Sequence, residues 1–291
     1  MERLEVPVHD PELGRLDLTA TAWGPVTGRA VLLLHGFPQS SLQWRAVGEL
    51  LAEAGVRAVA LDQRGVPPTA RPAETSAYRM TDRVRDVLGA ADVLFGSGAP
   101  FHLVGHDWGA AVAWVVAGRF PQRVSSLVAV SVPHPRAMSR AMVTDPRQLA
   151  MSAYMPRWRQ PGVGETELLA DDARELRRIL GDGRIPGVDV EEWVRQAGEP
   201  GALTAGLQWY RAMSREEMGD APDVAVPVTM VWPSDDLAIG RTAAEGARRY
   251  VTGDYRFVEL GGVSHWAPEE SPGRVAEEIL ARVAPADAAG G

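Results

Sequence analysis

The chain contains no cysteine. That absence removes disulfides, thiolate nucleophiles and cysteine-held metals from the possible chemistry. No basic run is present, and 30 basic against 38 acidic residues leave a net charge of −8. Neither nucleic acid nor an anionic membrane is therefore expected as the main partner. Long hydrophobic runs are also missing, since the longest, around Ala110 to Ala117, is far too short to span a bilayer. Met1-Glu2-Arg3-Leu4-Glu5 opens straight into strand-like sequence without the charged and apolar regions of a secretory leader. A cytoplasmic protein is the default expectation. No glycine pattern follows a first strand in the dinucleotide-binding manner, so no cofactor is expected.

What is present is an ordinary globular composition, 45% hydrophobic and 23% charged, over 291 residues. That length suits one large α/β domain with an inserted subdomain, or two ordinary domains. Leu4 to Val8 and Leu16 to Trp23 alternate like strands, with Asp10-Pro11 and Gly24-Pro25 as turns. Val31-Leu32-Leu33-Leu34 is a continuous apolar run, as expected of a strand covered on both faces. A helix is predicted over Leu42 to Ala54, a strand over Arg57 to Leu61, and a helix over Tyr78 to Phe95. Strands follow at Phe101 to Val104 and Val124 to Ser131. This alternation implies a mostly parallel central sheet with helices on both faces.

The rhythm changes after Pro133-His134-Pro135. From there to about Pro222 the sequence reads as helices broken by Pro and Gly, clearest at Glu165 to Leu180, Val190 to Ala197 and Leu203 to Met213. Strand character returns at Val228 to Trp232 and Tyr255 to Leu260, and Arg274 to Val283 closes as a helix. The expected organisation is a core of residues 1–133 and 223–291 with a helical lid at 134–222. The small-residue tail from Ala284 to Gly291 is expected to fray.

Gly105-His106-Asp107-Trp108-Gly109 sits between a predicted strand and a predicted helix. That context suits a nucleophile elbow, a strained turn that lifts one side chain above the sheet edge. The flanking glycines fit because a Cβ there would crowd the neighbouring strand or helix. A serine in the elbow would point to acyl transfer, whereas Asp107 suits attack on a saturated carbon that carries a leaving group. His265, in the loop Gly261 to Trp266 after the last strand, is the candidate base, and Asp236, just past Trp232, the candidate acid. Asp235 reads as its solvated neighbour. The chain order nucleophile, acid, base matches α/β-hydrolases. In that layout the backbone N–H groups of Phe37, in His35-Gly36-Phe37-Pro38, and of Trp108 would form the oxyanion hole.

His35-Gly36-Phe37-Pro38, Asp62-Gln63-Arg64-Gly65, Gly105-His106-Asp107-Trp108-Gly109 and Gly262-Val263-Ser264-His265-Trp266 resemble the epoxide hydrolases of the α/β-hydrolase superfamily, with haloalkane dehalogenases as close relatives. The resemblance runs from about Leu4 to Val283. It implies an α/β-hydrolase fold, a small-molecule epoxide as substrate, and two lid tyrosines that assist the departing oxygen. Tyr210, in Leu207-Gln208-Trp209-Tyr210-Arg211, matches the second of these, and Tyr154 precedes a segment like the one after the first. Many haloalkane dehalogenases have Asn where this chain has Phe37, so one halide donor is missing. Two stretches depart from the pattern: Val66-Pro67-Pro68 follows Gly65, and Pro233 follows Trp232 where Gly is common. The alternatives are a dehalogenase-type hydrolase and a non-catalytic small-molecule-binding homologue. His102 and His106 are not on one helix face, so metal binding is not expected. Asp171-Asp172 with Arg174, Arg177 and Arg178 reads as a solvated helix face.

Overall fold

The computed structural model describes residues 1–181 and 184–284. Apart from Ala284, the tail expected to fray lies outside the described residues. Eight strands form one sheet: β1 (Glu2–Asp10), β2 (Gly14–Trp23), β3 (Ala30–Leu34), β4 (Arg57–Asp62), β5 (Phe101–His106), β6 (Val124–Val130), β7 (Val228–Asp235) and β8 (Tyr255–Ser264). Their spatial order is β1-β2-β4-β3-β5-β6-β7-β8. The pairings of β1 with β2 and of β2 with β4 are antiparallel, and the rest are parallel. The expected mostly parallel sheet is therefore observed.

Helices α1 (Arg45–Glu53), α2 (Met80–Phe95) and α3 (Trp108–Arg119) connect the inner strands. Between β6 and β7 the described chain is helical: α4 (Pro135–Thr144), α5 (Pro146–Met151), α6 (Met155–Trp158), α7 (Val163–Leu180), α8 (Gly187–Ala197), α9 (Ala202–Arg211) and α10 (Arg215–Gly219). After β7 comes α11 (Arg241–Gly246), and after β8 come α12 (Ala267–Glu270) and α13 (Pro272–Val283).

The period-2 geometry of β3 explains its unbroken apolar sequence. Val31 and Leu33 pack into one hydrophobic layer with Val47 and Leu51 of α1 and Ile279 of α13. Leu32 and Leu34 point the other way, into the layer built with Val84 and Val87 of α2 and Val112 of α3. All four side chains are fully buried. Among the described residues no helix is long and apolar enough to cross a membrane.

Two local features differ from the sequence expectation. Pro135 starts α4 at its first turn, where a missing N–H costs nothing, so the Pro-His-Pro stretch opens a helix as well as ending the strand pattern. The helix expected over Glu165 to Leu180 begins at Val163 and is broken at Ala170–Ala173, where Asp171, Asp172 and Ala173 have positive φ. The exposed pairs Asp171–Arg174 and Asp172–Arg177 lie at this kink.

Candidate active site

Asp107 lies in the turn between β5 and α3 with φ 51° and ψ −121°. A non-glycine residue there stores about 1–3 kcal/mol of backbone strain. The surrounding glycines make the turn possible. A Cβ on Gly105 would sit 2.4 Å from the Gly109 carbonyl oxygen, and one on Gly109 would sit 2.2 Å from that of Leu34. Gly36 has the same role on the facing loop, where a Cβ would lie 2.4 Å from the Asp107 Cβ. This close approach lets the Phe37 N–H donate to Asp107 Oδ1 at 2.8 Å. Trp108 is the first residue of α3, so its N–H is one of the helix-start donors without an intrahelical partner.

The loop after β8 brings His265 to the same sheet edge. Its Nε2 lies 3.7 Å from Asp107 Oδ2, and its Nδ1 lies 3.0 and 3.1 Å from the two oxygens of Asp236. Of the two adjacent aspartates, Asp236 is the buried one facing the imidazole. Asp235 is half-exposed and pairs with Arg184 at 3.3 Å. The β7–β8 register shifts between Pro233 and Asp235, just before this turn. Asp236 also accepts the Ala238 and Ile239 N–H groups at 2.8 and 2.9 Å.

Two further side chains complete this layer: Ser131, not singled out from the sequence, and His106, weighed there only as a metal ligand. Ser131, at the end of β6 with φ 68°, donates its hydroxyl to Asp236 Oδ2 at 2.6 Å and lies 3.0 Å from His265 Nδ1. His106 accepts from Gln43 at Nδ1 (2.6 Å) and donates from Nε2 to the His265 carbonyl (2.8 Å), tying the elbow to the histidine loop. Burial lowers the His106 pKa to about 3, so the ring is a neutral strut. His102 instead bonds Ser126 at 2.8 Å on the neighbouring strand.

Electrostatics follow from this packing. Burial alone would lower the His265 pKa and raise those of both aspartates. The Asp236 and Asp107 carboxylates outweigh burial at His265 and lift it to about 10. Reciprocally, His265 holds Asp107 and Asp236 below the ordinary carboxylate range, aided by the Phe37 N–H and by the Ser131 hydroxyl respectively. The anion–cation–anion row is a compact buried charge cluster.

Above it sits an aromatic roof. Tyr210 of α9 packs edge-on against Phe37, Trp108 and Trp158, with ring centroids 5.4, 5.0 and 5.3 Å apart. Tyr154, just before α6, packs on Trp158 at 4.5 Å and reaches Tyr210 at 6.1 Å. The Tyr154 hydroxyl and the Trp108 indole N–H are hydrogen-bonding neighbours of the Tyr210 hydroxyl. Burial, then the negative charge nearby, pushes both phenols well up, so both hold their protons at neutral pH. Edge-to-face contacts fix ring orientation as well as burying area.

Asp107, Trp108, Tyr154 and Tyr210 line one cavity of about 370 Å³. Its remaining walls are mostly apolar and include five methionines: Met138, Met142, Met155, Met213 and Met218. Pro67 and Pro68 line a different cavity, of about 410 Å³, which shares no lining residue with the first. Among the described residues no cluster of His, Asp or Glu could hold a metal ion.

A parallel sheet with an aspartate elbow, a histidine loop after the last strand and an acid after the preceding one defines an α/β hydrolase. The chain belongs to the alpha/beta hydrolase fold family, whose match covers residues 29–272. Within it, the chain groups with epoxide hydrolases. It is 31% identical to epoxide hydrolase A of Mycobacterium tuberculosis over 86% of this chain and 88% of that protein. It is 32% identical to AB hydrolase superfamily protein YfhM of Bacillus subtilis, over 91% and 93% of the two chains. The crystal structure of a Bacillus megaterium epoxide hydrolase in complex with an inhibitor superposes with a TM-score of 0.83 at 26% identity. That superposition covers 96% of this chain and 99% of the other.

Proposed function

We propose that the protein hydrolyses a small-molecule epoxide to a vicinal diol through an ester on Asp107, with residues 134–222 serving as a cap over the core. The observation that carries this reading is two protonated phenols meeting in an apolar cavity beside a buried carboxylate. An alkoxide is a poor leaving group, so opening the ring needs a donor at the departing oxygen. Tyr154 and Tyr210 line the same cavity as Asp107, which supports an oxygen leaving group over a halide.

In the first step Asp107 attacks an epoxide carbon, and the C–O bond breaks as Tyr210 and Tyr154 stabilise the alkoxide. Esterification removes one of the two carboxylate charges that hold His265 protonated, so the imidazolium gives up its proton and the alkoxide becomes a hydroxyl. In the second step neutral His265, oriented by Asp236, takes a proton from water as the oxygen attacks the ester carbonyl. The Phe37 and Trp108 N–H groups stabilise the tetrahedral oxyanion. The water's second proton passes to the departing diol oxygen. The cycle starts and ends with Asp107 ionised and His265 protonated, which balances the addition of one water.

The test is a single turnover with excess enzyme in heavy-oxygen water, using a panel of aryl and alkyl epoxides and matching chloro- and bromoalkanes. Diol release with label first in the Asp107 carboxyl is expected, because water attacks the ester carbonyl. Label entering the diol directly would sink the ester mechanism, and halide release without diol formation would favour the dehalogenase reading. Tight binding with neither adduct nor product would favour the non-catalytic one.

A further inference from the structure

The structure contains two deeply buried arginines near the site, and they are treated differently. Arg64 is fully engaged: it donates twice to Asp86 at 2.7 Å, to Asp10 at 2.8 Å and to the Ala77 carbonyl at 2.6 Å. Arg83, on α2, is 3% exposed, and among the described residues it makes no ion pair within 4 Å of a carboxylate. Its Nη2 reaches the Trp108 carbonyl at 3.4 Å, and its Nε is buried without a partner. The guanidinium is packed between indoles, 5.0 Å from the Trp108 ring centroid and 4.3 Å from that of Trp209. Cation–π contacts of this kind offset only part of the desolvation of a buried charge. Burial brings the group down to about 9, against the attraction of Asp107 and more weakly of Asp86, so it is still a cation at neutral pH.

The neighbourhood explains why a charge is held there. Trp108 is the residue after Asp107, and Asp86 is already paired with Arg64 through both of its oxygens. The buried anion left for Arg83 is the Asp107 carboxyl, across the first residue of α3. That carboxyl changes charge during the proposed cycle: it is negative in the free enzyme, neutral as the ester, and negative again in the tetrahedral intermediate. A buried cation that attracts it opposes the first change and favours the second.

We propose that Arg83 is a positioning residue for ester hydrolysis, a buried cation that holds the Trp108 backbone and stabilises the negative charge returning to the Asp107 carboxyl. This rests on the two-step reading above. The test separates the steps by quench-flow single turnovers on one epoxide, with the adduct followed by intact-protein mass, for wild type, Arg83→Gln and Arg83→Lys. Gln keeps a donor for the Trp108 carbonyl and drops the charge, and Lys keeps the charge. Expected for Arg83→Gln is ester hydrolysis slower by roughly tenfold or more, because the charge returning to the Asp107 carboxyl loses the attraction of one buried cation. Alkylation should be unchanged or faster, so the adduct accumulates. Arg83→Lys should recover most of the hydrolysis rate. Equal slowing of both steps in Arg83→Gln, or no change in either, overturns the proposal, as does an Arg83→Lys enzyme no better than Arg83→Gln. If Arg83→Gln does not fold, Arg83→Lys decides: near-normal hydrolysis supports a role for charge, and hydrolysis slowed in step with alkylation overturns it. Absence of any adduct in the wild type would instead refute the two-step reading itself.

Discussion

The charged floor of the site, whose Asp107 lines the cavity, and the aromatic roof over it are built by different physics. The floor (Asp107, Asp236, His265) stands on strand ends and is fixed by directional bonds: backbone N–H groups to both aspartates, the Ser131 hydroxyl, and His106 under the histidine loop. The roof (Tyr154, Tyr210) stands on or beside short helices and is fixed by aromatic rings, edge to face around Tyr210 and tilted between Tyr154 and Trp158. Hydrogen bonds to charged groups set position to within fractions of an ångström, whereas aromatic packing sets orientation and excludes water. The floor thus suits the proposed water-activating step, which needs a proton acceptor in fixed geometry. The roof suits the proposed ring-opening step, which needs protonated donors in a dry site.

Breaking the floor should have the largest effect. His265→Gln removes the proposed base, and turnover should fall by about 10³–10⁴-fold. Ring opening persists, so intact-protein mass should show a stable adduct; normal turnover would refute the assignment of the base. Breaking the roof with Tyr210→Phe should slow ring opening by about 10²-fold. In that variant single turnovers should show no build-up of adduct, the opposite signature. If His265→Gln and Tyr210→Phe slow the same step, the division of labour is wrong. Ser131→Ala sharpens the comparison within the floor. Losing one hydrogen bond to the buried Asp236 charge should lower kcat by about tenfold with KM little changed, as steady-state kinetics would show.

The smallest effect is on stability against pH. His265 is raised from its ordinary 6.5 to about 10 in the folded protein. A raised histidine pKa contributes stability that is fully present below about 6.5 and is lost as pH rises through about 10. Thermal melts from pH 6 to 10.5 should therefore show the wild type losing more Tm than His265→Gln across that window. Parallel curves would show that the charge cluster does not couple to folding.

The same contrast explains what the sequence disclosed. The sheet was legible because its strands carry local signals: the unbroken Val31 to Leu34 run, and glycines on both sides of Asp107 whose need is steric. Asp236 and His265 could be picked because each falls just past a strand end. The roof was less legible. Pro135 reads equally as a break and as a helix start, and the α7 kink at Asp171–Ala173 has no sequence signature beyond two adjacent aspartates. Trp158 and the five cavity methionines come together only through tertiary packing. Ser131 escaped notice because its role depends on a positive φ at a strand end, and Arg83 because helical periodicity does not distinguish a buried arginine from a surface one. Departures at Val66-Pro67-Pro68 and Pro233 also had to be judged in space: the prolines 67 and 68 line the other cavity, and Asp236 meets His265 after the register shift.

The helical insertion leaves the sheet after β6 and returns at β7, and these two strands are parallel neighbours in direct hydrogen-bonded register. Parallel neighbours need a crossover in any case, so the insertion is a crossover that has grown. Because loop-closure entropy rises only logarithmically with length, such growth barely burdens the sheet. Evolution could thus lengthen, shorten or exchange the roof without re-registering a strand, which leaves the hydrolytic machinery inherited and the choice of molecule it acts on free to drift.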